Sequence, residues 1–314
     1  MIFDGHSDII NDVADKLIKG EGNVFETMHY ENLKNADVVG SIFTMWVEPE
    51  YYNKSFNRLY SLMYTYKNCI AQNANVVTVT NAKQFEDKSK FHIVLGMEGM
   101  SAIEDDISKI EYLYEFGVRH GMLTWNEQNF LASGASAPES NGLTQKGKAI
   151  VKLMQKLGMI VDVSHLNDKS FYDVLDIATT PIIASHSNCR SLCSHKRNLT
   201  DEQIKLIADT GGVIGINSYG DFVDTNPDGQ TVRRLAEHIV HIIEIAGIEH
   251  VGFGFDFCDF LENYTSDFPY TKGLESISKV DNLIYELKEL GVSKQDIEKI
   301  KYKNFYRVMS QVIK

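Results

Sequence analysis

Six side chains with metal-binding chemistry follow short apolar runs in this 314-residue sequence. They are His6, Asp8, Glu98, His165, His186 and Asp256. Imidazole nitrogen and carboxylate oxygen form a ligand set suited to Zn²⁺, and also to Mn²⁺ or Co²⁺. Any one of them alone is more often a structural residue or a turn carboxylate. Together, at equivalent positions, they predict a metal site.

The spacing of these residues suggests how the ligands are shared. His6 and Asp8 are two apart on a predicted strand, so both point to the same side and can hold one ion. His165 and His186 each follow a serine at the ends of consecutive strands, which favours a second ion. Glu98 has two oxygens that can bridge two ions, as in two-metal hydrolysis. Asp256 can bind metal and accept a proton from bound water, or simply cap a helix.

The elements that must position these residues are visible as eight short apolar runs. They comprise Ile2 to Asp4, Val38 to Trp46, His92 to Gly96, Val118 to Thr124, Met159 to Val163, Pro181 to Ser185, Val213 to Asn217 and Val251 to Phe255. Amphipathic stretches between them, such as 144–158, 198–212 and 231–247, predict helices, with Thr200 and Gln203 forming a capping box.

Strand–helix alternation of this kind predicts an α/β fold, a single parallel (β/α)₈ TIM barrel of the metal-dependent hydrolase type. An open doubly wound sheet is the alternative. In such barrels the active site lies at the C-terminal strand ends. The six residues, together with Trp125 and Tyr219, stand at those ends.

Composition limits the classes of partner. A net charge of −12 and a pI of about 5.3 argue against nucleic acid or an anionic membrane as a partner. No secretory signal or membrane-length apolar run is apparent, and the four cysteines form no CxxC pair, so we expect a cytoplasmic protein. Without a linker-like tract, residues 1–314 are expected to form one domain, with C-terminal helices after about residue 274.

Six motifs carry a resemblance to a known family. DGHSD, GMEG, LTWNEQN, VDVSH, ASHSNCRSLCSHKRN and GFGFDF, in this order, resemble the renal (membrane) dipeptidase family of binuclear zinc metallopeptidases, in its bacterial cytoplasmic branch. The resemblance implies two Zn²⁺ ions, one on His6 and Asp8 and the other on His165 and His186. It implies that Glu98 bridges both ions and that Asp256 sits beside the bridging water as ligand and proton acceptor.

The same resemblance implies a substrate. Arg197 would receive the C-terminal carboxylate of a dipeptide, and Tyr219 would line the same pocket. Hydrolysis of dipeptides is therefore expected, with tolerance of a D-residue at the C-terminal position and pairing as a homodimer. The sequence departs from the family where Cys258 replaces an aspartate and where Trp125 replaces the histidine of the animal enzymes. That histidine contacts the substrate, so the exchange bears on substrate range.

Two other functions are compatible with the ligand pattern. One is a related binuclear barrel amidohydrolase, such as an N-acyl amino acid hydrolase, lactonase or deaminase. The first metal-binding motif of those enzymes is typically H-x-H, whereas it is H-x-D in this sequence. The other is a non-catalytic metal-binding module. The segment 261–273 after the last strand either covers the active site or connects to the final helices.

Overall fold

The computed structural model describes residues 1–104, 106–261 and 268–314. Its strands, β1 to β9 in chain order, are Ile2–Ser7, Val38–Trp46, Val76–Thr78, Phe91–Glu98, Val118–Met122, Ile160–Asp162, Ile182–Ala184, Val213–Ile216 and Val251–Phe253. All described strand pairings within this sheet are parallel. Residues 262–267 of segment 261–273 lie outside the described residues.

The sheet closes into an eight-stranded barrel. Its order is β2-β1-β9-β8-β7-β6-β5-β4, and a β2–β4 pairing from Gly40 to Trp46 closes the ring. The (β/α)₈ prediction is confirmed. The short strand β3 was not predicted; it pairs with the first half of β4, whereas β5 pairs with the second half.

The α-helices, α1 to α12 in chain order, alternate with the strands. They are Ile9–Ile18, Glu31–Asn35, Ser55–Thr65, Ser108–Phe116, Gln145–Leu157, Asp168–Leu175, Asp201–Asp209, Gly220–Val223, Val232–Ala246, Val280–Glu289, Lys294–Glu298 and Asn304–Val312. Short 3₁₀ or π-helical turns occupy Phe25–Tyr30, Pro49–Lys54, Tyr66–Ile70, Ala82–Glu86, Ser101–Ile103, Pro227–Gly229, Ile248–His250, Ile277–Lys279 and Lys299–Lys303.

Local chemistry sets the helix ends where the sequence predicted it. The Thr200 hydroxyl accepts a hydrogen bond from the Gln203 amide, and the Gln203 side-chain oxygen accepts one from the Thr200 amide. The predicted capping box at the start of α7 is therefore confirmed. Helix α5 begins after Thr144, which accepts from Gly147 N–H, and ends at Gly158, whose φ of 78° suits glycine.

The barrel is sealed at its N-terminal end. Apolar residues from β1, β2, β4, β6, β7 and β8 form one cluster with α12. The Phe305 ring lies so close to β1 and β9 that a Cβ at Gly5 or Gly252 would come within 2.6 Å of it. The C-terminal strand ends are therefore where a site can open. In the described part of the chain, no helix has both the length and the apolar character that crossing a membrane requires.

Candidate metal centre

His6 lies at the centre of the predicted ligands. It is fully buried on β1, and its Nε2 lies 3.5 Å from Asp8 Oδ2, 3.4 Å from Glu98 Oε2 and 3.7 Å from Asp256 Oδ1. Two sets are compact enough to hold a metal ion, with ligand atoms within 4.8 Å of one another. They are His6 with Asp8 and Asp256, and His6 with Glu98 and His186.

Glu98 faces two groups of side chains at once. Its Oε2 lies toward His6, whereas its Oε1 lies 2.9 Å from His165 Nε2 and 4.0 Å from His186 Nε2. The two histidine Nε2 atoms are only 2.8 Å apart. The carboxylate is thus placed between the β1 residues on one side and the two later histidines on the other.

Four of the six candidate ligands also contact a polar side chain on the side that faces away from the centre. Asp8 Oδ1 accepts from the Thr44 hydroxyl at 2.7 Å, and Asp256 Oδ2 accepts from Asn217 Nδ2 at 3.1 Å. His165 Nδ1 contacts Asn126 Oδ1 at 2.9 Å, and His186 Nδ1 contacts the Ser185 hydroxyl at 2.8 Å. One atom of each ligand is thereby fixed and the other is left facing the centre, a common arrangement around metal ligands.

Two buried aspartates hold the strand ends beneath the centre. Asp4 Oδ1 accepts from the Phe255 amide at 2.9 Å, next to Asp256. Asp162 Oδ1 accepts from the Ser164 and Ser185 amides, the residues immediately before the two later histidines. Its other oxygen lies 2.7 Å from His120 Nε2. These contacts fix the backbone from which the candidate ligands project.

The centre concentrates negative charge in a buried space. Burial, together with the charge of Asp8, raises the pKa of Glu98 to about 8. Burial raises the pKa of Asp256 to about 6, although His6 opposes this shift. Burial lowers the pKa of His6, but the charges of Glu98 and Asp8 outweigh it and raise that pKa well above its usual value. Burial lowers the pKa of both His165 and His186 well below the usual value, which keeps them neutral, as metal ligands must be.

Two candidate ligands have left-handed backbone conformations. His165 has φ of 70° and Asp256 has φ of 58°. Non-glycine residues seldom adopt this region, and each such residue costs about 1–3 kcal/mol unless the surroundings compensate. Asp256 is therefore not a helix N-cap; it occupies a sharp turn that aims its carboxylate at His6.

The three residues expected to contact substrate surround the centre. Trp125 packs between Trp46 and His165, with ring centroids 5.3 Å and 6.1 Å away. The Tyr219 ring lies 4.8 Å from the Phe222 ring, and Arg197 lies over that same ring. Tyr219 and Asp256 line one small cavity.

Arg197 is a buried cation with two guanidinium nitrogens that the described residues leave unsatisfied. Its side chain is nearly inaccessible, and Nε and Nη2 have no hydrogen-bond partner among the described residues. Burial lowers the pKa of Arg197 to about 10, opposed by the charges of Asp256 and Glu98, so the group stays charged at neutral pH. Leaving such a group unpaired is costly, and this favours a bound anion as its partner.

The ligand set fits divalent cations. Both ring nitrogens of His6 are buried and lack a hydrogen-bond partner in the described ranges, although the ring is surrounded by carboxylates. Buried polar atoms are rarely left without partners. A cation here would satisfy Nε2 of His6, the nitrogen that faces the carboxylates, and offset their charge.

The supporting residues were not found from the sequence. Thr44, Asn126 and Asn217 contact residues that are 36 to 39 positions away in the chain. Asn126 and Asn217 do follow predicted strands, and that position is the signal by which they could have been selected. Asn126 and Glu127 both lie in the LTWNEQN motif, but no role was predicted for either of them.

Comparison with known proteins decides the family. The membrane dipeptidase family, peptidase family M19, matches residues 1–314. The chain belongs to that family. The resemblance carried by the six motifs is thus confirmed.

Curated relatives of this membrane dipeptidase family member include fungal proteins. An uncharacterized dipeptidase of Schizosaccharomyces pombe is 35% identical over 230 residues, covering 71% of this chain and 54% of the relative. The dipeptidase tcpJ of Claviceps purpurea is 31% identical over 221 residues, covering 70% of this chain and 50% of the relative. The chain matches about half the length of these relatives.

Solved structures share the fold of this family member. A metallopeptidase from Rhodobacter sphaeroides, liganded with a phosphinate mimic of the dipeptide L-Ala-D-Ala, superposes with a TM-score of 0.86 at 20% identity and covers 99% of each chain. The dipeptidase AC, described as an M19 metallopeptidase, gives a TM-score of 0.88 at 20% identity, covering 99% of this chain and 98% of that one. At this identity the likeness establishes the barrel.

Proposed function

We propose that this protein is a zinc-dependent dipeptidase that cleaves dipeptides with a free C-terminal carboxylate. The observation that carries the proposal is the position of Glu98, whose Oε2 faces His6 while its Oε1 faces His165. A bridging carboxylate of this kind is what a two-metal hydrolase requires. Family membership supports the same reading.

The contacts around Glu98 and the family resemblance support a proposed set of metal ligands. His6 and Asp8 would hold one Zn²⁺, His165 and His186 the other, with Glu98 shared and Asp256 beside them. Ions bound there would supply Lewis acidity, which activates a water molecule and polarises the scissile carbonyl. Mn²⁺ or Co²⁺ could substitute, since the nitrogen and oxygen ligands suit them as well.

Asp256 is proposed to transfer the proton. Asn217 holds its Oδ2, so its Oδ1 is left to accept a proton from the attacking water and return it to the leaving amine. Burial raises its pKa to about 6, within a unit or so of neutral pH. A general base works best when its pKa lies close to the working pH.

Arg197 is proposed to select for dipeptides. Its planar guanidinium can take a substrate carboxylate with two parallel hydrogen bonds. Because Arg197 is fixed over Phe222 and buried, the carboxylate must lie at a set distance from the metal centre. Only a substrate with one residue beyond the scissile bond would satisfy both contacts. Tyr219 is proposed to line the same pocket.

Tolerance of a D-residue at the C-terminal position is part of the proposal. It is supported by the Rhodobacter sphaeroides metallopeptidase, whose ligand mimics L-Ala-D-Ala. Trp125 lies where it can contact substrate, but an indole N–H donates one hydrogen bond and carries no charge. We further propose that the protein acts in the cytoplasm as a homodimer.

The test is an assay of the zinc-loaded protein with L-Ala–L-Ala, L-Ala–D-Ala and N-acetyl-Ala–Ala. The Glu98→Gln variant is assayed in parallel as the control. We expect release of free amino acid from both unblocked dipeptides and its loss in E98Q. No turnover of any dipeptide by protein with two zinc ions bound would refute the proposal and favour a related amidohydrolase or a non-catalytic metal-binding module.

A further inference from the structure

Glu127 is a buried carboxylate whose oxygens make no hydrogen bond of ordinary length to the described residues. It lies in the loop after β5, and both of its carboxylate oxygens are buried without a hydrogen-bond partner among residues 1–104, 106–261 and 268–314. Desolvating a carboxylate without a compensating donor is expensive. A carboxylate buried in this way is expected to accept a hydrogen bond from a bound ligand.

The loop that carries Glu127 is rigidly built. Gly134 N–H donates to Glu127 C=O at 2.9 Å, and Gln128 pairs with Ser133 across a tight turn. A Cβ at Gly134 would come within 2.2 Å of Trp125 C=O. The Ala135 amide donates to His165 C=O at 2.8 Å, which ties this loop to the metal centre. The position of Glu127 is therefore fixed relative to the candidate ligands.

Glu127 lies beside the centre. Its neighbour Asn126 contacts the ligand His165 directly. The Tyr52 hydroxyl lies beside Glu127 and makes no hydrogen bond of ordinary length in the described chain. Burial raises the pKa of Tyr52, and the charge of Glu127 together with a long hydrogen bond to it raises that pKa further, with a smaller contribution from the charge of Glu98. Glu127 and Tyr52 thus present two unsatisfied polar groups near Glu98.

The barrel places Tyr52 across the centre from Arg197, whereas Glu127, which follows β5, is two strands away from the strand that precedes Arg197. In the closed ring of eight strands, β2 and β7 are four strands apart, and so are β4 and β8. Tyr52 follows β2 and Glu127 follows β5, whereas Arg197 follows β7 and Tyr219 follows β8. Among the described residues, a buried carboxylate and a buried guanidinium with unsatisfied atoms therefore follow two strands of the barrel that are separated by one other strand.

We propose that Glu127 accepts the free α-ammonium group of the substrate, with the Tyr52 hydroxyl beside it. This proposal rests on the proposed dipeptidase function and specifies the substrate further. A dipeptide at neutral pH carries an ammonium and a carboxylate about two residue lengths apart, roughly 7 Å. Its carboxylate pairs with Arg197, its ammonium with Glu127, and its peptide carbonyl lies between them. An N-acylated substrate loses the ammonium and leaves Glu127 unpaired.

The experiment compares L-Ala–L-Ala with N-propionyl-L-alanine, which has hydrogen in place of the ammonium. We expect wild-type kcat/KM to favour the dipeptide by at least about 10- to 100-fold, the usual effect of one charge-assisted hydrogen bond. Glu127→Gln should lower kcat/KM for the dipeptide by a similar factor and leave that for N-propionyl-L-alanine within about twofold. Glu139→Gln, which alters an exposed carboxylate nearby, should change neither.

Two results would overturn the proposal. One is a wild-type preference below about twofold, a result that needs no variant. The other is an equal loss on both compounds in E127Q, which would assign Glu127 a structural role. If wild-type protein hydrolyses neither compound, the proposed dipeptidase function is refuted. The role of Glu127 is then tested by the binding constants of the two compounds for wild type and E127Q. Weaker binding of the dipeptide alone in E127Q supports the assignment, and unchanged binding refutes it.

Discussion

Metal binding at this centre should be strongly coupled to the release of protons from the ligands. Near pH 7 the metal-free site holds one proton on His6, whose pKa is well above its usual value, and most of one on Glu98, whose pKa is about 8. A metal ion needs the lone pairs of both groups, so binding must displace those protons. We expect release of about two protons per protein at pH 7 from these two side chains.

The sign and size follow from linkage. As pH falls, His6 and Glu98 become more fully protonated, and the ion must compete with more protons. The apparent zinc affinity should therefore rise with pH, by about tenfold per pH unit for each proton released and by about 100-fold per unit near pH 7. The rise should become shallower above pH 8, where Glu98 is already ionised.

Calorimetric zinc titrations in buffers of different ionisation enthalpy measure the number of protons released. A bound water that ionises adds to the number in both wild type and Glu98→Gln, so the difference between the two reports the protons that depend on Glu98, including any that its charge holds on His6. We expect that difference to be about one proton at pH 7 and to shrink by pH 9. An equal proton count in the two proteins, or an affinity independent of pH between 6 and 8, would refute this account of the site.

Three further predictions concern single residues. Arg197→Met should raise KM for dipeptides by about 100-fold or more because it removes the charged partner of the carboxylate, with zinc content unchanged; an unaltered KM would exclude that contact. Asp162→Asn should weaken zinc binding by about 10- to 100-fold, because it loosens the backbone before His165 and His186, and competition with a chelator measures this. His238 is buried and neutral, with its pKa lowered to about 4, so stability should be full above pH 6.5 and fall by about 3 kcal/mol as pH drops to 4.

The His238 prediction has its own control. His238 Nδ1 accepts from the Cys189 amide and its Nε2 donates to Val223 C=O. His238→Gln removes the titrating group, so urea unfolding of the variant should show a shallower loss of stability between pH 6.5 and 4. The same slope in both proteins would mean that other groups cause the acid sensitivity.

The barrel could be predicted because its signals are local. Apolar runs buried on both faces, and caps such as Thr200 with Gln203, depend on a few neighbouring residues. Strand β3 was missed because it has three partly buried residues and is defined by its pairing with β4. Short strands of that kind take their identity from a partner that lies far along the chain.

The site could be predicted in part, for a related reason. His6, Glu98 and Asp256 are recognisable because strand ends converge in a barrel, so chemistry at those ends can be anticipated. The roles assigned to them remain predictions. Thr44 and Asn217 contribute through hydrogen bonds to residues far along the chain, and the environment of a buried carboxylate such as Glu127 is defined only by what surrounds it in space.

The left-handed backbone at Asp256 has an evolutionary consequence. Glycine would occupy φ of 58° without steric cost, so replacing Asp256 with glycine relieves backbone strain that alanine would retain. A single substitution, Asp256→Gly, therefore relieves the backbone strain and removes the carboxylate at the same time. Lineages released from selection for the chemistry are expected to lose this aspartate readily while keeping a well-folded barrel.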